Sequence, residues 1–143
     1  MPAACSECGA PVVDGLDCQG QLDVVLSWEW TDPQLSAEHF STVAIFNLQH
    51  PSRFQQDAIA GLAAAVVAHV DDGLPVSAIR RQVGRATAGA TRVLKPEAER
   101  VIVSRRWALT VGHVYNRNNP LAAADRVREW ARSTRNELPA QRP

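Results

Sequence analysis

The sequence has few of the features that mark specialised classes of protein. It contains three cysteines, one tyrosine and one methionine among 143 residues, and its Lys+Arg and Asp+Glu totals are equal at 15 each. A net charge of zero excludes a uniformly basic or acidic protein, and a hydrophobic content of 45% excludes global disorder. A chain of this size can bury about two thirds of the surface that it exposes when unfolded. We therefore expect one compact soluble domain.

Long hydrophobic segments are also absent. The longest apolar run, residues 58–70, is interrupted and is followed by Asp71, and the first residues lack a basic segment that precedes an apolar one. Neither a membrane span nor a signal peptide is therefore expected. The odd number of cysteines argues against extracellular disulfides. These observations favour a cytoplasmic protein.

The zero net charge conceals two halves of opposite sign. Residues 1–72 contain ten acidic side chains and one basic one, Arg53, so that they carry a charge of −9. Residues 73–143 contain fourteen basic and five acidic side chains and carry +9. Such halves attract each other when they pack into one domain, but a basic half can also bind nucleic acid.

Apolar side chains at helical spacing predict an all-α fold, with about five helices in one compact bundle. We expect a single helical domain over 1–143, made of a cysteine-bearing metal loop (1–19), a helical hairpin (20–50) and the remaining helices (52–138). Within the hairpin, one helix runs from Gly20 to Trp30 and the next from Ser36 to His50, before Pro51.

The remaining helices have their own boundary signals. A third helix follows a capping-box pattern at Ser52 and Gln55 and ends at 71–73, and its many alanines suggest a central position. A fourth runs from Pro75 to the neighbourhood of 95–96. The last is predicted to begin at 119–120, where asparagine and proline suit the first helical positions. Two shorter segments are predicted as well: a turn capped by Thr110 that extends through Val114, and an irregular or helical stretch at Val101–Val103.

The cysteines form the most informative motif. Cys5 and Cys8 are separated by two residues and followed by Gly9, which is the spacing of a zinc knuckle, and Cys18 supplies a third thiolate. Tetrahedral zinc needs a fourth donor, and no other cysteine exists, so a histidine is expected. If the first two helices form an antiparallel hairpin, His50 returns to the level of Cys18. His39, the competing choice, lies about three turns away on the same predicted helix.

Other interpretations of the cysteines remain open. Cys-x-x-Cys can be a redox pair, although that chemistry uses a helix N-terminus where this chain has Gly9, Ala10 and Pro11. The three thiols can also be free, or can hold a metal with an open position for catalysis. We favour structural zinc on Cys5, Cys8, Cys18 and His50 because of the ligand spacing.

The chain resembles DUF5946, a family of uncharacterised small bacterial proteins. The family pattern has an N-terminal Cys-x-x-Cys-Gly, a further cysteine, a histidine-containing helix that ends in Gln-His-Pro, and a C-terminal Val-x-x-Trp-Ala helix. The matching residues here are Cys5, Cys8, Gly9, Cys18, His39, Gln49, His50, Pro51, Leu109, Thr110, Val111, Val127, Trp130 and Ala131. At Ala44 and Phe46 the chain departs from the acid and the tyrosine of the family pattern. The resemblance implies a metal-binding helical domain and no particular reaction.

Three further residues are candidates for catalysis or substrate positioning. His39 lies beside Glu38, Gln49 precedes the predicted metal ligand, and His113 has no partner that the sequence identifies. We interpret Gln49 first as a support of the metal ligand. His69 is expected near the C-terminal end of its helix, where an imidazolium favours the helix dipole.

Two local patterns resemble binding motifs, one for a metal ion and one for phosphate, but we do not interpret either as a binding site. Asp71 and Asp72 precede a glycine and are interpreted as a turn. A Walker-like pattern at 84–91 lacks its lysine, because Ala90 stands in that place.

These observations favour a small zinc-stabilised helical protein with a binding or accessory role. The first alternative is a small-molecule enzyme, metal-dependent or otherwise, that uses His39 and His113 in a bundle pocket. The second alternative, which is disfavoured, is nucleic-acid binding through arginines of the basic half. These arginines are Arg80, Arg81, Arg85, Arg92, Arg105 and Arg106. We expect the partner to be an unknown protein or small molecule, and we expect no membrane partner. The sequence does not determine the reaction or the oligomeric state.

Overall fold

The computed structural model describes residues 4–86 and 93–139, with the backbone alone over 82–86. This part of the chain is helical and contains no strand longer than an isolated bridge, so the predicted all-α class is confirmed. Seven α-helices occur in it: α1 (Cys18–Trp28), α2 (Pro33–Ala37), α3 (His39–Leu48), α4 (Gln56–Asp72), α5 (Val76–Ala86), α6 (Val111–Tyr115) and α7 (Ala123–Glu137). Among the described helices, none combines the length and the hydropathy needed to cross a bilayer.

Short polar side chains cap three of these helices. Asp17 precedes α1 and accepts a hydrogen bond from the Gly20 backbone N–H at 2.8 Å, and Asp32 precedes α2, whose first residue is a proline. Thr110 caps α6, as predicted. The C-terminal end of α4 is capped by Gly73, which adopts the left-handed conformation with φ +67°.

The predicted second helix is in fact two helices. Its backbone breaks at Glu38, whose ψ of 13° lies outside the helical range, so that α2 ends at Ala37 and α3 begins at His39. Ser36, the predicted start of this helix, is an interior residue of α2, and Asp32 caps α2. The predicted capping box at Ser52 is also wrong. Ser52 lies in a 3₁₀ turn, Pro51–Arg53, before α4 begins.

Two boundaries in the basic half differ from those predicted. The predicted fourth helix does not continue to 95, because residues 93–95 are extended and pair with the backbone of residues 53–55; residues 87–92, with most of the Walker-like pattern, lie outside the described part. The last helix begins at Ala123 and not at Asn119, whose side chain instead accepts a hydrogen bond from the Leu121 N–H at 3.0 Å. Residues 101–103 are irregular and exposed.

The centre of the bundle is α7, which contacts α2, α3, α4 and α6. Its Trp130 and Val127 are fully buried, together with Ile45 of α3 and Leu35 of α2. The prediction that the alanine-rich helix is central is therefore wrong: α4 packs on α3, α5 and α7 but buries only Ala63, Ala65 and Val66. The buried side chains of α7, which include a tryptophan, and not the alanine content of α4, mark the central helix.

Contacts at opposite ends show that α1 and α3 run antiparallel. Cys18 at the start of α1 meets His50 just beyond α3, and Glu29 just beyond α1 meets His39 at the start of α3. The main packing partner of α1, however, is α6. The ends of α1 and α3 therefore lie together, while α1 packs mainly on α6, and α3 on α4 and α7.

Ion pairs join the acidic and basic halves of the sequence. Arg135 of α7 contacts Asp71 of α4 at 2.7 Å, and Arg128 of α7 contacts Glu38 at 3.0 Å. Packing of complementary halves therefore accounts for part of the charge asymmetry.

Candidate metal centre

The first two cysteines lie on one tight turn. The Gly9 N–H donates to the Cys5 carbonyl at 3.0 Å, and the Cys5 N–H donates to the Ala10 carbonyl at 2.9 Å. Gly9 has φ +83°, a conformation that residues with a Cβ rarely adopt. The turn aims three backbone N–H groups at sulfur: those of Glu7 and Cys8 at Cys5 Sγ, and that of Ala10 at Cys8 Sγ, over 3.4 to 3.5 Å. Such N–H groups stabilise thiolates.

The other two donors come from the ends of helices. Cys18 is the first residue of α1, and His50 follows α3. The side chains of Cys8, Cys18 and His50 are buried, whereas Cys5 is partly exposed. One loop and two helix ends therefore converge on the same point.

The four donors are close enough to share one metal ion. The donor atoms of Cys5, Cys8, Cys18 and His50 all lie within 4.8 Å of one another. His50 Nε2 is 3.4 Å from Cys18 Sγ and 3.7 Å from Cys5 Sγ. In a tetrahedral site with metal–sulfur and metal–nitrogen bonds of about 2.3 and 2.0 Å, a sulfur and a nitrogen are separated by about 3.5 Å. The observed distances fit that geometry.

The imidazole of His50 is oriented by α3. Its Nδ1–H donates to the Phe46 carbonyl at 2.6 Å, and the ring stacks on Phe46 with centroids 4.1 Å apart. This hydrogen bond places the proton on Nδ1 and leaves Nε2 as the free donor atom toward the sulfurs, which is the usual support of a metal-bound histidine. The phenylalanine at position 46 thus serves as a stacking surface for the ligand.

The thiols and the imidazole of the cluster shift one another's pKa values. A hydrogen bond from the Cys8 thiol to Cys18, reinforced by burial, raises the pKa of Cys8. The same hydrogen bond, aided by His50 and opposed by burial, lowers the pKa of Cys18 to about 4. For His50, burial lowers the pKa, but hydrogen bonds with Cys18 and the Phe46 carbonyl outweigh that effect and raise it. A divalent ion would stabilise all three sulfurs as thiolates and displace the shared proton.

Glu7, between the two cysteines of the knuckle, fastens the loop to the segment after His50. Its carboxylate is buried and accepts hydrogen bonds from the Ser52 hydroxyl at 2.8 Å and from the Ser52 backbone N–H at 2.9 Å. The Glu7 carbonyl also accepts from the Arg105 N–H at 3.1 Å. Sequence reasoning missed this role, although an acid between two cysteine ligands and a serine two residues after His50 were both visible.

Gln49 does not support the metal ligand, and that interpretation is wrong. Its amide nitrogen donates to the Leu109 carbonyl and to Thr134 Oγ1, both at 3.0 Å. It therefore ties the end of α3 to α7 and to the segment before α6. Gln49 also lines a cavity of about 380 Å³, together with Glu7 and Trp107.

The other histidines are divided among separate places. His39 is half exposed and pairs with Glu29 at 2.9 Å, so it is not a donor of the cluster. His69 is also not a donor of the cluster. Its Nδ1–H donates to the Leu74 carbonyl at 2.8 Å, just beyond the end of α4. His113 lies on α6 and bonds Glu129 of α7 at 3.0 Å.

Four of the six arginines proposed for nucleic-acid binding have side chains in the described part of the chain. Arg80 and Arg81 are exposed on α5, and Arg106 is exposed far along the chain. Arg105 stacks on the Trp107 ring at 3.8 Å and donates to the Glu137 carbonyl. The side chains of Arg85 and Arg92 lie outside the described part.

Comparison with known proteins identifies a family but no relative of known function. Neither the curated proteins nor the solved structures include a match to the chain. A family model covers residues 3–139, which include the whole candidate metal centre and all seven helices. The chain therefore belongs to DUF5946, a family of unknown function.

Proposed function

We propose that the protein is a zinc-stabilised binding or accessory factor, in which Cys5, Cys8, Cys18 and His50 hold a structural zinc ion. The observation that carries the proposal is the complete set of four protein donors within 4.8 Å. Three thiolates and one imidazole suit zinc, and a tetrahedral ion with four protein ligands has no coordination position left for water or substrate.

The connectivity of the donors explains what the ion would do. It would join the N-terminal loop to the start of α1 and to the segment after α3, across a separation of 45 residues between Cys5 and His50. The free energy of metal binding is then available to the fold, because the unfolded chain does not preform the site. Thiolate ligands also require reduced cysteines, and this supports a reducing compartment such as the cytoplasm.

Metal analysis tests the proposal directly. Protein purified without chelators is expected to contain about one zinc ion per chain. Cys5→Ser and His50→Ala should lower the zinc content, whereas His39→Ala, a histidine outside the cluster, should leave it unchanged. Full zinc content in the Cys5→Ser, His50→Ala double variant would contradict the proposed ligand set, as would wild-type protein that contains no zinc.

Cobalt substitution separates a structural from a catalytic ion. The visible spectrum of the cobalt form should indicate tetrahedral coordination by three sulfurs and one nitrogen. Addition of azide or cyanide should leave this spectrum unchanged if the four protein ligands fill the site. A spectral change on addition would indicate an open position and would favour metal-dependent catalysis instead.

A further inference from the structure

The exposed apolar side chains of the described residues are concentrated in one stretch of the basic half. Five of the seven large ones lie within residues 93–103, and three of these are consecutive: Val101, Ile102 and Val103, with exposed fractions of 72%, 56% and 71%. Single exposed apolar residues are common, whereas a contiguous group of them indicates an interaction surface. We call residues 99–105 the exposed segment.

The exposed segment is extended at both ends. Arg100 has φ −79° and ψ 121°. Further along, Val103, Arg105 and Trp107 line the cavity of about 380 Å³, whereas the residues between them do not. Side chains that alternate in this way are typical of extended backbone. The Arg105 N–H donates to the Glu7 carbonyl at 3.1 Å, so the segment is fixed to the metal loop at this point.

The backbone of the exposed segment is free to pair with another strand. Among the described residues, no backbone hydrogen bond involves residues 101–104. In an extended chain, the N–H and C=O groups of successive residues point to opposite edges. Because the Arg105 N–H points to the metal loop, the groups of Ser104 point away from it, and continuation of the extended chain gives those of Ile102 the same direction. An apolar segment with such a free edge is a template for strand pairing.

The two ends of the exposed segment carry opposite charges. Glu99 is exposed and forms no ion pair with another described residue. Arg105 is also exposed; it stacks on Trp107 and donates to the Glu137 carbonyl, but it has no carboxylate partner in the described part of the chain. The segment therefore runs from an acidic end through an apolar centre to a basic end. This order is complementary to that of an antiparallel copy of the same segment.

We propose that the exposed segment pairs with the same segment of a second copy of the chain, as two antiparallel strands related by a two-fold axis at Ile102. In this register Glu99 lies opposite Arg105 of the second copy and Val101 lies opposite Val103, and the symmetry repeats each pair. The two copies of residue 102 form a hydrogen-bonded pair, which agrees with the outward direction of their backbone groups. A parallel arrangement would instead place like charges opposite each other.

Sedimentation velocity of the full-length protein, from micromolar to near-millimolar concentration, tests the proposal. The paired segments are short, so we expect a weak dimer whose population rises with concentration. A protein that stays monomeric over the whole range would overturn the proposal. If the amides of residues 101–104 in that monomer also resist hydrogen exchange, another part of the chain covers the segment in place of a second copy.

The variant Ile102→Lys tests the position of the two-fold axis. It replaces an apolar pair at the centre of the interface by two like charges, so the dissociation constant should rise by at least about tenfold. The side chain is exposed, and the variant should therefore fold. Leu121→Lys, at an exposed leucine outside the segment, is the matched control and should leave the dissociation constant unchanged. A dimer that survives Ile102→Lys would overturn the proposal.

A charge exchange tests the antiparallel register. Glu99→Arg and Arg105→Glu should each weaken self-association, because like charges then lie opposite each other in both symmetry-related pairs. In an equimolar mixture of these two variants every pair is again of opposite sign, so a heterodimer should form with about the affinity of the wild-type dimer. Failure of the folded variants to associate with each other would contradict the register and the proposal. Neither experiment depends on the bound metal, so such a failure leaves the proposal of a structural zinc intact.

Discussion

The Glu7–Ser52 pair should couple the metal loop to the rest of the fold. Both side chains are buried, and the Glu7 carboxylate accepts from the Ser52 hydroxyl at 2.8 Å and from the Ser52 N–H at 2.9 Å. A hydrogen bond to a charged group contributes about 1.5–3 kcal/mol. Ser52→Ala removes one such bond and should lower the free energy of unfolding by about 1.5–2 kcal/mol.

Replacement of the glutamate should cost more than replacement of the serine. Glu7→Ala removes the acceptor for both donors and leaves the buried Ser52 N–H unpaired, so we expect a loss of about 3–4 kcal/mol. Because the hydroxyl–carboxylate bond is lost in either single variant, the double variant should be less destabilised than the sum. The coupling energy should be about 1.5 kcal/mol, well above the scatter of about 0.5 kcal/mol for independent sites.

Urea unfolding followed by circular dichroism measures these changes, with zinc concentration fixed because metal binding itself contributes to stability. Glu97→Ala, which truncates an exposed glutamate, is the matched control and should change stability by less than about 0.5 kcal/mol. Zinc release to a chromogenic chelator should also be faster in Glu7→Ala. A coupling energy within the scatter of independent sites would refute the reasoning that these two side chains hold the loop together.

Three further perturbations follow from the structure. Arg135 beside Asp71 lowers the pKa of that carboxyl, so the ion pair stabilises the fold above the pKa of the unfolded state, and this stabilisation is lost as the pH falls through the pKa of the folded state. Asp71→Asn should therefore reduce the loss of melting temperature in acid. An unchanged acid profile of the melting temperature would contradict this. Gly9→Ala should destabilise the protein by about 1–2 kcal/mol because φ of Gly9 is +83°. Gly61→Ala, in the interior of α4 with open space around it, should instead stabilise the protein by about 0.5–1 kcal/mol. Equal effects of the two variants in denaturant titrations would show that backbone conformation is not the cause. Trp130→Ala should cost about 3–5 kcal/mol in the same titrations because the side chain is fully buried at the centre of the bundle, and a loss below about 1 kcal/mol would exclude α7 as that centre.

The sequence predicted the helical class and the residues of the Cys/His cluster because both depend on local or strongly constrained patterns. Apolar spacing predicts helices wherever one face is buried. Two cysteines on a glycine turn, a third nearby and the need for a fourth donor left only the histidines to consider, and the antiparallel path of α1 and α3 favoured His50 over His39. The structure brings that set together.

Helix boundaries were less predictable because several residues suit more than one role. Ser52 has the sequence context of a helix cap, yet the buried carboxylate of Glu7 is its hydrogen-bond partner. The alanines of α4 suggested a central helix, but the bundle surrounds α7, whose tryptophan and valine fill the core. In each case a partner distant in sequence decides the outcome.

The charge pattern shows the same division between sequence and tertiary structure. The sequence by itself determined that the chain has an acidic and a basic half, three soft ligands and amphipathic helices, since these are properties of the residues and their spacing. Only the tertiary structure decided that Arg128 and Arg135 pair with acids of the other half, that Glu7 holds Ser52, and that His113 and Arg117 line one pocket. Such pairings depend on the packing angles of whole helices, and no local preference of the chain specifies those angles.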